Sequence, residues 1–296
     1  MPITQSALTY TSPHAYLSQR QRNPTRTEIT MQRLTDDMRR DWVEQGYILL
    51  KNALNRDEVE SYLAAANEVT AQYREAHPEV HQEAVLGITQ TVERSPAFDS
   101  LLDHPSSFGV ITDLLGPYLQ VMGTVIYVRY PGDEMLLKWH TDAGPALRDF
   151  RVEPGSRPLN FKVQHFLTDI PAHNRANFCL VPGSHCQDFP EDGLTPGQWP
   201  EGGIQLIVEA GDVAIFPHNL WHAIAAHEGH EIRCSITFRY GQIWSRPWDY
   251  EKAPEELLQR LTPRQRRLMG DIGPQYGPAD YFSPKDQLEI ILDGIE

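Results

Sequence analysis

Between residues 121 and 240 the chain holds a succession of short β-prone runs, each closed off by Pro, Gly or Asp, with no long helix among them. The runs are 121–130, 135–140, 160–168, 177–181, 204–208, 213–216 and 232–240. So many strands in so few residues must cover one another's apolar faces, which predicts a closed or nearly closed antiparallel sandwich or barrel. Flanking segments carry helical signals. Thr35 precedes Asp36 and Asp37 as an N-cap, with Gly46 positioned to end that helix. Asn55 with Glu58 three residues on opens a longer helix to about Ala76. Two shorter helices are expected between about Ser95 and Leu115, and Pro254–Leu261 and Thr262-Pro263 begin others. Residues 1–33 are polar and aperiodic and read as a mobile arm, leaving 34–296 as a single domain.

Composition removes several classes of function. A formal net charge of −14 would be repelled by nucleic acid and by anionic membranes, so neither is expected as a partner. No apolar run reaches the roughly 18 residues of a membrane span, and 1–30 has no secretory apolar core. Three cysteines without a CxxC pattern support neither a disulfide framework nor a thiolate zinc site. The expectation is a cytoplasmic protein acting on a small molecule; no feature sets its oligomeric state.

The chemistry concentrates in two places. Trp139-His140-Thr141-Asp142 ends one of the strands, where residues two apart point to the same side. His-x-acid occurs twice more, at His77-Pro78-Glu79 and His81-Gln82-Glu83, in a polar stretch where solvated side chains are the simpler reading. Further on, Gly211-Asp212-Val213-Ala214-Ile215-Phe216 enters an apolar strand, His222 follows it, and Arg233 stands eleven residues later on the next. Two imidazoles and one carboxylate can hold one face of a six-coordinate metal, the arrangement that suits non-heme Fe(II) and O2. Arg233 supplies a planar cationic fork for a carboxylate. His218, His227 and His230 are read as surface loop groups.

In its order of motifs the chain resembles the phytanoyl-CoA dioxygenase-like Fe(II)/2-oxoglutarate oxygenases. The residues that carry the resemblance are Gly46-Tyr47-Ile48-Leu49-Leu50, Trp139–Asp142, Pro182-Gly183-Ser184-His185, and Gly211 through His222 to Arg233, over about 34–242. It implies a double-stranded β-helix (a jelly roll, cupin-like) flanked by N- and C-terminal helices. It implies that His140, Asp142 and His222 hold Fe(II), that Arg233 holds the distal carboxylate of 2-oxoglutarate, and that His185 is a structural turn residue. The expected reaction consumes O2 and 2-oxoglutarate, releases succinate and CO2, and hydroxylates a C–H bond. Related halogenases lack the carboxylate at the position of Asp142, so halogenation is disfavoured. One departure stands out: Ile224 occupies the place where many members carry a small hydroxyl residue.

Lys162, Gln164, Phe166 and Thr168 share one face of their strand; looking inward, Lys162 and Gln164 would help bind the co-substrate, and looking outward Lys162 would meet solvent. Tyr127 is a further candidate for the lining. Residues 143–158, with Arg148, Asp149, Arg151 and Arg157, read as a lid, and Trp244 and Trp248 as an entrance border. Two rival readings remain open at this stage: a cupin-like zinc or manganese enzyme without oxygen chemistry, and a non-catalytic metal-binding barrel.

Overall fold

The structure, a computed structural model, describes residues 31–132, 134–135, 137–147, 150, 153, 155–190, 193–195 and 198–295. Of the expected arm, residues 1–30 lie outside this set. Its last residues are held: Gln32 N donates to Pro105 O at 2.8 Å, and Arg33 bridges Asp113 at 2.5 Å.

Among the described residues ten strands form two antiparallel sheets. In chain order they are β1 (Ile48–Leu50), β2 (Val85–Thr89), β3 (Leu119–Arg129), β4 (Leu137–His140), β5 (Asn160–Phe166), β6 (Phe178–Leu180), β7 (Ile204–Gln205), β8 (Val213–Pro217), β9 (His222–Ile224) and β10 (Arg233–Gln242). The larger sheet runs β1-β8-β5-β10-β3-β2 and the smaller β4-β9-β6-β7. The strand succession predicted such an antiparallel sandwich, and its form is the jelly roll that the resemblance implies.

Period-two alternation divides the larger sheet's side chains between two cores. Phe161, Val163, Ile236, Phe238 and Tyr240 face the helices, with Leu101, Leu102, Phe108 and Ile111 packed over them. The Tyr240 hydroxyl donates to the carbonyls of Leu101 and Leu102, fastening the helical layer to the sheet. The opposite face meets the smaller sheet, where Phe166, Phe178, Ala214, Phe216 and Ile224 form a second apolar cluster.

The helical signals resolve as expected. Thr35 caps Asp36–Glu44, Asn55 and Glu58 form a capping box on Arg56–Ala76, and Thr262 and Gln265 another on Pro263–Leu268. Three features differ. The polar stretch after Ala76 leads into β2, an edge strand on β3. The run expected over 204–208 shortens to two residues of strand, with Val208 in an isolated bridge to Ile170. His222 does not merely follow a strand; it opens β9. Among the described residues no helix is long and apolar enough to cross a membrane.

Asp212, fully buried, holds the entry to β8. Its carboxylate accepts from Asn52 N at 3.0 Å and Glu209 N at 2.9 Å and pairs with Lys51 at 2.5 Å. Removing it leaves two backbone donors unmatched, and such donors cost more than their bonds contributed. Asp212→Ala is therefore expected to lower stability by about 2–4 kcal/mol, read from urea unfolding; a loss below about 1 kcal/mol would mean that water replaces the carboxylate.

Candidate metal centre

His140 and His222 are partners in register across β4 and β9, and their rings lie 4.2 Å apart between centroids. Alternation sends Trp139 to the outer face, where it packs edge-on against Trp199 at 5.1 Å, and so turns His140 inward. Asp142 sits in the turn after β4, its N–H bonded to His218 O at 2.7 Å. That bond ties the turn to the β8–β9 connection and brings the carboxylate beneath both rings. Asp142 Oδ1 is 3.9 Å from His140 Nε2, and Oδ2 is 3.7 Å from His222 Nε2. One ligand atom from each of the three lies within 4.8 Å of the others.

Both imidazoles are fixed in the same tautomer. His140 Nδ1 lies 2.8 Å from Lys138 O, and His222 Nδ1 lies 2.8 Å from Leu220 O. A carbonyl only accepts, so each Nδ1 carries the proton and each Nε2 turns a lone pair toward the shared centre. His222 Nε2 is buried without a hydrogen-bond partner. Burial pushes the His222 imidazole down to about 3 and lowers that of His140. Burial opposes ionisation of Asp142, yet the charges of Lys162 and Arg239 outweigh it and hold the acid well below the usual carboxylate range. The trio is therefore two neutral imidazoles and one carboxylate at neutral pH, the protonation states that a divalent metal requires.

The second group of motifs supports the first. Ser184 Oγ accepts from Trp221 N at 2.9 Å, and His185 O accepts from Asn219 Nδ2 at 2.6 Å, pinning the residues just before His222. His185 itself lies against Gly46, whose φ is +77° and whose missing Cβ would fall 2.3 Å from Nδ1. The expectation for His185 was structural, and that is the setting it occupies.

Lys162 faces inward, its Nζ 2.7 Å from Asp142 Oδ2. Arg239 reaches the same oxygen at 3.0 Å and was not singled out from the sequence. A cavity of about 370 Å3 opens beside them, lined by Asp142, Lys162, Arg239, Tyr127, Thr237 and Trp248 among others. Trp248 thus meets the expectation of bordering the entrance, and Trp244 is absent from this lining.

Gln164 and Arg233 stand further along the same inward faces. Gln164 Nε2 donates to Ser235 Oγ at 3.1 Å; Arg233 is buried, with Nε bonded to Arg175 O at 3.2 Å and Nη2 3.5 Å from Glu231. Opposite Arg233 in register is Arg129, also missed, which is buried, bonds Ser235 Oγ at 3.4 Å and leaves its Nε unpartnered. Two guanidiniums facing each other across strands repel unless an anion joins them.

His218 and His227, read from the sequence as surface groups, are buried at 2% and 1% exposure. Each is absorbed by a backbone carbonyl, Asn160 O and Glu231 O respectively, because the loops that carry them fold back over the sheets. Of the expected lid, Arg148, Asp149 and Arg151 lie outside the described residues, and the Arg157 guanidinium rests on Gly116.

The family model described as phytanoyl-CoA dioxygenase (PhyH) matches residues 42–234, which takes in every motif above. The chain belongs to this family. It is an iron- and 2-oxoglutarate-dependent dioxygenase, and Fe(II), 2-oxoglutarate and O2 are its cofactor and co-substrates. The zinc or manganese reading and the non-catalytic reading give way to that assignment. The curated "Dioxygenase andF" of Emericella variicolor is 21% identical over 260 residues, covering 79% of this chain and 84% of that protein. HygX from Streptomyces hygroscopicus, crystallised with nickel and 2-oxoglutarate, is 20% identical with a TM-score of 0.60, over 76% of this chain and 94% of HygX. SnoK, a non-heme alpha ketoglutarate dependent carbocyclase from nogalamycin biosynthesis, is 24% identical with a TM-score of 0.57, over 77% and 91%. Both solved structures share the dioxygenase's fold.

An unpaired buried cation destabilises the protein that carries it. Arg129→Met is expected to raise the urea resistance of the metal-free dioxygenase by about 1–3 kcal/mol and to shrink the further stabilisation that 2-oxoglutarate gives with a divalent metal. Loss of stability without ligands would show that the bond to Ser235 outweighs the burial of charge.

Proposed function

We propose that this dioxygenase hydroxylates a C–H bond of a small molecule, releasing succinate and CO2, with iron held by His140, Asp142 and His222. The observation that carries the reading is the pair of Nδ1-to-carbonyl bonds that turns both Nε2 atoms toward one carboxylate. The donor set fits ferrous iron: two imidazoles and a single acid occupy one face and leave the rest of the coordination sphere to co-substrate and O2. Iron bound there would supply the oxidising chemistry by which 2-oxoglutarate, O2 and the substrate's C–H bond become succinate, CO2 and a C–OH group.

The chain's own residues bind and orient. Arg233, opposite Arg129 and close to Ser235, accepts the distal carboxylate of 2-oxoglutarate, and the anion relieves the repulsion between the two guanidiniums. Ser235 and Gln164, bonded to each other, offer further polar contacts on that inner face. Lys162 neutralises charge next to Asp142, and Tyr127 lines the cavity with them. Residues 34–296 act as one catalytic domain. Two of the three cysteines are buried free thiols, which suits the reducing cytoplasm.

Anaerobic titration with Fe(II) and 2-oxoglutarate tests the reading. A weak visible charge-transfer band is expected for the wild type and absent in Asp142→Ala and His222→Ala. Arg233→Ala is expected to keep the band but to need about a hundredfold or more 2-oxoglutarate, given the cost of breaking a buried charge pair. An unchanged requirement in Arg233→Ala would remove Arg233 from the co-substrate site.

A further inference from the structure

Arg239 is the one strongly placed cation in the cavity that the reaction as described does not use. Its side chain is 4% exposed, Nη1 bonds Asn160 Oδ1 at 3.2 Å, and Nη2 meets Asp142 Oδ2 at 3.0 Å. Among the described residues Asp142 is the acid within ion-pair distance of it, and Lys162 reaches the same oxygen more closely, at 2.7 Å. Asp249 also lines the cavity, but its Oδ2 accepts from Thr124 N at 2.7 Å and Thr124 Oγ1 at 2.8 Å.

Lys162 lies closer to Asp142 than Arg239 does, and Asp142 is the acid that the metal would also take. Arg239 then has no close acid of its own in a nearly enclosed place, which is costly without a counter-ion. A guanidinium has five N–H donors, and its two bonds leave others for the cavity that it lines. Trp248 stacks on it, with the guanidinium carbon 3.9 Å from the ring centroid, and fixes its plane. Trp248 is 62% exposed, so the indole presents an apolar ledge next to the cation.

We infer that the primary substrate is an organic acid with an apolar ring system, its carboxylate seated on Arg239 and its body lying along Trp248. The inference rests on the iron and 2-oxoglutarate reading of the same site and adds the substrate's chemical class. A carboxylate there gives the guanidinium a counter-ion and takes the paired donor geometry that arginine offers. It also holds the rest of the molecule beside Asp142, within the 370 Å3 cavity next to the metal centre. A neutral analogue would leave the guanidinium unpaired, and sites of this kind reject such analogues strongly.

The test uses full-length protein loaded with Mn(II) and saturating 2-oxoglutarate, with thermal unfolding as the readout. The probes are matched pairs: benzoate and benzamide, naphthoate and naphthamide, cyclohexanecarboxylate and its amide. Acids are expected to raise Tm and amides to leave it unchanged. In Arg239→Gln the acids are expected to bind about tenfold or more weakly, a larger loss than that variant shows for 2-oxoglutarate, and Arg239→Lys is expected to recover part of it. The inference is overturned if amides act like acids, if no acid raises Tm up to its solubility, or if Arg239→Gln binds acids as the wild type does. Failure of Mn(II) with 2-oxoglutarate to raise Tm at all would instead sink the metal-site reading beneath it.

Discussion

The pairing of His140 with His222 across β4 and β9 is the interaction on which the rest of the site depends. These strands are short and hold few ladder bonds of their own. Their register survives because His222 lies against Phe216 and Phe178, at 5.2 and 5.6 Å between centroids, inside the apolar cluster between the sheets. A slip of one residue would turn each histidine outward and bring Trp139 and Ala223 into the barrel. Packing therefore sets the register, register sets the ligand geometry, and the carbonyls of Lys138 and Leu220 set the tautomer. A centre supported at three levels is rigid before any ligand arrives, which is what precise metal chemistry requires.

The second constraint is charge. The chain is acidic as a whole, yet the inner face of the larger sheet carries Lys162, Arg239, Arg129 and Arg233 against Asp142. Burial lowers the pKa of each of these cations, the mark of charges held away from water. Such an interior is unfavourable when empty of anions and favourable when filled. The apolar clusters and the buried Asp212 network stabilise the fold apart from these charges. The carboxylates of the co-substrate, and of the acid substrate inferred above, are the groups that would complete it.

Much of this was legible from residue order. Caps at Thr35, Asn55 and Thr262 announce their helices because the signal is local and chemical. Trp-His-Thr-Asp at a strand end, with a distal His and Arg on later strands, points to one shared centre because strand alternation fixes which side each residue takes. What escaped notice depends on tertiary pairing. Val85–Thr89 is short, follows a polar stretch and is interrupted by a glycine, and it becomes a strand by pairing with β3, where Gly87 stands opposite Tyr127. Arg239 and Arg129 share the alternation of Arg233 and Tyr127, so their inward direction could have been read, but their charge argued for the surface. Burial of His218 and His227 comes from loops folding over the sheets, which no local pattern encodes.

Anomalous diffraction at the iron edge from crystals grown anaerobically with Fe(II) and 2-oxoglutarate addresses the central claim directly. The account requires one iron peak bonded by His140 Nε2, His222 Nε2 and an Asp142 carboxylate oxygen, each at roughly 2.0–2.2 Å. A peak elsewhere, or one of these three side chains turned away from it, would contradict the account.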